Sequence, residues 1–139
     1  MEDAEGLKKK YQKHNEADGP VFKIRNDPRY TKFGRFLAHT GLDELPQLIN
    51  IIKEEMAFVG PRPLPICEGQ KVPAKYASRF TVLPGITSSW VVNGSHALTF
   101  EQWMRLDLGY AKNKSMWYDI KTSFLTIILI LRSIWQSIK

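Results

Sequence analysis

Residues 41–63 read GLDELPQLINIIKEEMAFVGPRP. Two adjacent carboxylates, Asp43 and Glu44, open a stretch in which Leu45, Leu48, Ile49 and Ile52 recur at helical spacing. The spacing predicts a helix with an apolar face, Thr40 as its N-cap and Asp43 three residues on, as in a loose capping box. Pro46 fits only in the first turn or close to it, where a missing N–H costs little. On that reading both acids sit at the positive end of a helix dipole, which keeps them ionised. The following MAFVGPRPLP reads as an extended, proline-stiffened segment. Pro61 and Pro63 fix the backbone on either side of Arg62, and a guanidinium on so rigid a segment suits bidentate contact with phosphate.

Neighbouring residues on a helix diverge by about 100°, so Asp43 and Glu44 are not placed to share one proton. They suit separate tasks, one carboxylate facing a reacting atom and the other holding a metal ion. Simple capping explains the acids as well, and a proline-rich strand exit explains Arg62.

Upstream, Phe33, Phe36 and Leu37 predict a short helix from Pro28 to about His39 that carries Lys32 and Arg35 on its other surface. VFKIR at 21–25 alternates as a short strand, and Asn26-Asp27-Pro28 starts a new element. The charged residues 1–19 read as a helix or mobile arm ending at the turn Asp18-Gly19-Pro20. Downstream, 64–98 is a loop-rich layer, with turn signals at Glu68-Gly69, Pro73, Pro84-Gly85 and Asn93-Gly94. TFEQWMRLDLGYAKN at 99–113 reads as an amphipathic helix in which Asp107 and Tyr110 share a face.

A second amphipathic helix is predicted over 116–139. Ile120, Phe124, Ile127, Leu131, Ile134, Trp135 and Ile138 share one face, with Lys121, Thr122, Thr126, Arg132, Ser133 and Gln136 opposite and only Leu125 and Leu129 intruding. The apolar run Ile127 to Leu131 is far short of the ~20 residues of a bilayer crossing. The helix therefore packs on the core, which periodicity favours, or lies in a membrane interface, which its terminal position, its Trp and its basic residues favour.

The 139 residues suit one domain, and 43% hydrophobic content argues against disorder. A net charge of +6 attracts anions of any class. No recognition motif accompanies that charge, which argues against a nucleic-acid binder. Cys67 is the single cysteine, so neither an internal disulfide nor a thiolate zinc site can be built. His14, His39 and His96 lack ligand spacing, and no Ser-His-Asp order, P-loop or dinucleotide fingerprint is present. MEDAEGLKKK at 1–10 lacks the apolar region of a signal peptide.

DPRYTKFGRFLAHTGLDELPQLINIIKEEMAFVGPRPLP closely resembles the central motif of the bacterial sugar transferases, the monotopic polyprenyl-phosphate phosphoglycosyl transferases. LPGITSSWVVNG, RLDLGYAKN and MWYDIK extend the resemblance over nearly the whole chain. It implies transfer of a sugar 1-phosphate from a nucleotide diphosphate sugar, usually a UDP-sugar, to polyprenyl (undecaprenyl) phosphate at the cytoplasmic face of the bacterial membrane, in exopolysaccharide or surface-glycan assembly. By resemblance Asp43 is the nucleophile that forms a phosphosugar-aspartyl intermediate, Glu44 binds Mg²⁺, and Arg62, Arg35 and Asp107 serve phosphate or substrate binding.

Ala38, Leu83, Val91 and Ser95 stand where the family usually carries Arg, Arg, Gln and Arg, and the family's N-terminal re-entrant membrane helix is expected to be missing. An inactive membrane-bound scaffold of the same fold is the alternative, and homo-oligomerisation stays open. The expected fold is α+β, mainly α: one domain over 1–139, with short helices, a few short strands, a loop-rich layer and an amphipathic C-terminal helix at the membrane interface.

Overall fold

The computed structural model describes residues 10–22, 24, 27–94 and 97–138. The chain is mainly helical, with a single two-stranded sheet among the described residues. The helices are α1 (Lys32–Thr40), α2 (Leu48–Ile52), α3 (Ile66–Gly69), α4 (Ser89–Val92), α5 (Phe100–Asn113) and α6 (Met116–Ile138). Looser 3-10 turns form at Gln12–His14, Leu42–Gln47 and Ala74–Thr81. The strands β1 (Ala57–Val59) and β2 (Gly85–Thr87) run parallel, pairing Ala57 with Gly85 and Val59 with Thr87.

Much of the core is aromatic. Trp90 stacks on Trp103 at 4.9 Å, Tyr76 meets Phe100 edge-on at 6.1 Å, and Val21 and Met104 complete the cluster. α5 is built as its sequence suggests, with Thr99 and Gln102 closing a full capping box and Trp103, Met104, Asp107 and Tyr110 on its buried side. Asp18 accepts a hydrogen bond from Phe100 N at 2.6 Å, satisfying one of the donors left open at a helix start and tying the N-terminal arm to the core. Of the arm expected at 1–19, residues 1–9 lie outside the described part. The strand expected at 21–25 also lies partly outside it, and Val21, Phe22 and Ile24 form no strand.

The start of a new element at Asp27 has a local cause. Its carboxylate accepts from Arg29 N at 2.9 Å and from the Arg29 guanidinium, while Tyr30 N reaches back to Asp27 O at 3.2 Å. Thr31 then caps α1 by accepting from Gly34 N at 3.0 Å.

Two expectations are corrected. Thr40 does not cap a following helix. It is the last residue of α1, and its hydroxyl lies against the carbonyls of Phe36 and Leu37 at 2.9 and 3.0 Å. Gly41 takes φ 74°, a turn only glycine makes freely, and residues 42–47 wind as a 3-10 turn with Pro46 inside it, so the long helix predicted from Thr40 is reduced to α2. Its apolar residues are not covered either: Leu45, Ile49 and Ile52 are 54%, 57% and 82% exposed.

The second correction concerns α6, which exists as predicted but turns Thr122 and Thr126 inward, while Lys121, Arg132 and Gln136 of the same polar face stay exposed. Thr122 is buried, Thr126 Oγ1 lies 2.5 Å from Thr87 Oγ1, and the Tyr118 and Ser89 hydroxyls meet at 2.8 Å. Ile120, Phe124, Ile127, Leu131 and Trp135 all face outward. The reading in which the apolar face packs on the core therefore fails, because the surface offered to α6 is itself lined by hydroxyls that need partners.

The tightest constraint lies where the chain leaving β1 passes the start of β2. A Cβ on Gly85 would sit 2.1 Å from Gly60 N, and one on Gly60 would sit 2.3 Å from Leu83 O. These neighbours are backbone atoms and cannot rotate away. Gly60→Ala and Gly85→Ala should each lower unfolding free energy by about 1–3 kcal/mol or more, as overpacking does. Denaturant midpoints equal to wild type would contradict this close approach.

Asp27 supplies a pH test. Its hydrogen bonds with Arg29 hold its carboxyl below the ordinary value. The resulting stability is present above the unfolded value and is lost as pH falls through the folded one. Asp27→Asn should therefore flatten the acid limb of the stability curve below about pH 4, and an unchanged limb would show that the pairing carries no stability.

Candidate active site

Three segments converge on the candidate site. The Leu42–Gln47 turn presents Asp43 and Glu44, the exit of β1 presents Arg62, and α4 presents Trp90. Because the 3-10 turn starts directly at Gly41, with Glu44 N bonding Gly41 O at 3.2 Å, the two acids are displayed at a turn rather than on a long helix. Asp43 is exposed.

Glu44 is more enclosed. Its Oε1 lies 3.1 Å from Arg62 Nη2, and Gln47 Nε2 donates to its Oε2. Arg62 also lies over the Trp90 ring at 5.3 Å, a cation–π contact. Its side chain stays 38% exposed, so the guanidinium can still meet a ligand.

The backbone bearing Arg62 is held from several sides. Ala57 N, Gly60 N and Gly85 N bond Pro84 O, Thr87 O and Pro61 O at 2.8, 3.0 and 3.0 Å. One residue further on, Arg79 Nη2 donates to Arg62 O at 2.8 Å. Arg79 is itself buried and paired with Asp107, with Nε and Nη2 at 3.0 and 2.9 Å from Oδ2. Burial pushes the Asp107 carboxyl up, to about 6, against the opposing pull of Arg79. Beside this pair the Tyr110 hydroxyl lies 2.8 Å from Val59 O and 2.9 Å from Asp119 Oδ1, and burial raises its pKa well above that of a free phenol.

Among the residues singled out from sequence, Asp43, Glu44 and Arg62 gather at one place. Arg35 is exposed on α1 and makes no ion pair among the described residues. Asp107 is only 1% exposed and lies behind Arg62, paired with Arg79. Ala38 is partly buried, Leu83 exposed, and Val91 packed against the core, while Ser95 lies outside the described residues.

Gln47, Arg79, Trp90 and Asp119 were missed. Gln47 was within reach of sequence reasoning, since it follows Glu44 at a spacing that meets on one helical face. Arg79 was not, because 28 residues separate it from Asp107 in an irregular region.

The oxygen donors of Asp43 and Glu44 are hard ligands of the kind Mg²⁺ takes alongside substrate phosphates. Among the described residues, no group of three or more His, Cys, Asp or Glu gathers to form an all-protein metal cage. A magnesium ion shared between one or two carboxylates and a diphosphate fits this donor set.

A family model described as bacterial sugar transferase matches residues 3–133. The chain belongs to the bacterial sugar transferase family. It is 40% identical over 130 residues to the galactosyl transferase CpsE of Streptococcus agalactiae, covering 93% of this chain and 29% of that protein. It is also 40% identical over 111 residues to the undecaprenyl-phosphate galactose phosphotransferase of Salmonella typhimurium, covering 80% and 23%. A UDP-glucose:undecaprenyl-phosphate glucose-1-phosphate transferase of Escherichia coli is 41% identical over 111 residues, covering 74% and 24%. The chain thus spans about a quarter of the length of these family members.

The Tyr110 hydroxyl gives a check on the buried layer behind the candidate site. Tyr110→Phe removes the one O–H that Val59 O and Asp119 Oδ1 share and should cost about 1–3 kcal/mol in stability. A loss below ~0.3 kcal/mol in denaturant titrations would show that these contacts are not maintained.

Proposed function

We propose that this chain carries the catalytic centre of a transferase that moves a sugar 1-phosphate from a UDP-sugar to undecaprenyl phosphate, in exopolysaccharide or surface-glycan synthesis. The observation that carries the reading is the exposed Asp43 carboxylate beside a Glu44–Arg62 pair on a proline-locked backbone. The names of the Salmonella and E. coli relatives supply the substrate classes.

The chemistry balances in two steps. A carboxylate oxygen of Asp43 attacks the sugar-bearing phosphorus, and the bond from that phosphorus to the bridging oxygen breaks. UMP leaves with the bridging oxygen and its electron pair. An oxygen of undecaprenyl phosphate then attacks the same phosphorus and expels the Asp43 carboxylate, giving the lipid diphosphate sugar.

Because nucleophile and substrates are all anionic, repulsion has to be offset where charge gathers on the transferring phosphoryl group. Arg62 supplies a fixed positive charge and a fork of donors there, with Trp90 at its back. Magnesium held by Glu44 and the diphosphate would screen the remaining charge. Glu44 holds Arg62 in the absence of substrate, and a phosphate entering the site exchanges that partner for its own oxygens.

The lipid acceptor accounts for the outward apolar surface. Ile120, Phe124, Ile127, Leu131 and Trp135 on α6 and Leu45, Ile49 and Ile52 beside the carboxylates are exposed. An apolar groove between β1 and α6, lined by Phe58, Ile120, Phe124 and Ile127, joins the same surface. No helix among the described residues is long and apolar enough to cross a membrane. We place α6 in the headgroup region of the cytoplasmic leaflet, where nucleotide sugar and lipid phosphate meet.

The test is UMP release from UDP-sugars with Mg²⁺ and undecaprenyl phosphate in detergent. Release by the parent protein and a fall of at least about 1,000-fold in Asp43→Asn are expected. Vesicle binding without release would point instead to an inactive scaffold. Phe124→Ser/Ile127→Ser should weaken vesicle binding by about tenfold or more and leave stability within about 0.5 kcal/mol, since both side chains are exposed. Unchanged vesicle binding would sink the interfacial placement.

A further inference from the structure

We infer that Arg79 is a positioning residue for Arg62: it fixes the main chain from which the phosphate-binding guanidinium projects. The inference rests on the proposed function and deepens it, because it explains how a half-exposed side chain just past a short strand keeps one aim.

Sheet pairing cannot hold Arg62 by itself. The interstrand bonds end at Pro61 O, which accepts from Gly85 N, and Pro63 has no N–H to offer the next rung. Arg62 is therefore the first residue past the last bond between the two strand segments, and its carbonyl is the group that decides how the segment turns. Arg79 Nη2 takes that carbonyl at 2.8 Å.

The Arg79 guanidinium is in turn oriented by Asp107, whose Oδ2 receives both Nε and Nη2. The two residues come from different elements, the 3-10 turn Ala74–Thr81 and α5, so the rigid aromatic core sets the direction of the fork. With the carbonyl fixed behind it and prolines on both sides, Arg62 is left with side-chain freedom alone. Glu44 and Trp90 restrict that freedom further.

Fold stability does not explain this arrangement. An apolar pair of equal volume in place of a buried ion pair commonly leaves a fold as stable or more so. What such a pair cannot supply is a donor aimed at Arg62 O. Arg79→Met/Asp107→Leu therefore separates the two roles, since it fills the space and removes the donor without stranding a charge.

The experiment measures UDP binding by calorimetry with Mg²⁺, for the parent protein, Arg62→Ala, Arg79→Met/Asp107→Leu and the triple variant, with thermal melts on each. Arg62→Ala and the apolar pair should each weaken UDP binding by about tenfold, the scale of one charge-assisted contact. The triple variant should be no weaker than Arg62→Ala, because with the guanidinium gone there is nothing left to aim.

Losses that multiply in the triple variant, or full UDP affinity in the folded apolar pair, would overturn the inference. Should the apolar pair fail to melt cooperatively, Arg79→Lys serves in the same cycle, since it keeps the charge beside Asp107 but not the planar fork. It should show the same non-multiplying loss, and wild-type affinity there would overturn the inference equally. A parent protein that binds no UDP would refute the functional reading itself, an outcome distinct from multiplying losses.

Discussion

The close approach of Gly60 and Gly85 is the constraint on which the site depends. With a Cβ at either position the strands could not approach, since backbone atoms would lie at 2.1 to 2.3 Å. Their approach lets Pro61 O join the sheet and brings the next residue, Arg62, over Trp90 and against Glu44. The site is thus the continuation of a two-stranded ladder. Such a short sheet holds its position because aromatic packing and the buried Arg79–Asp107 pair lie behind it.

Charge is distributed in two layers. At the surface, Glu44 faces Arg62, and the neighbouring Asp43 is exposed on the same turn. Beneath it, Arg79 and Asp107 neutralise one another out of contact with water. Exposed pairs contribute little to stability, whereas breaking a buried pair leaves a costly unpaired charge. The Glu44–Arg62 pair, partly open to water, is therefore the weaker of the two, and the buried pair behind it the more costly to break.

Sequence reasoning reached the outline of this structure through local chemistry. The helices α5 and α6 were legible from periodicity, and the association of Asp43, Glu44 and Arg62 from motif resemblance. What periodicity could not provide was which side of a face meets water. In α6 the apolar stripe lies where periodicity puts it, yet the hydroxyls of Thr87, Ser89 and Tyr110 take Thr126, Tyr118 and Asp119 as partners, which no periodicity within α6 reveals. Likewise Leu45, Ile49 and Ile52 formed a convincing helical face, but Gly41 and Pro46 divide that helix and nothing among the described residues covers it. Arg79 and its link to Arg62 O depend on tertiary placement over 17 residues and leave no local trace.

Asp43 as a covalent nucleophile is the central claim, and intact-protein mass spectrometry after incubation with a UDP-sugar and Mg²⁺, without lipid acceptor, tests it most directly. The account predicts a mass increase of one sugar phosphate, located by peptide mapping to Asp43 and discharged when undecaprenyl phosphate is added. Release of UMP on adding the acceptor, with no adduct at any time and direct inversion at the transferring phosphorus, would contradict it.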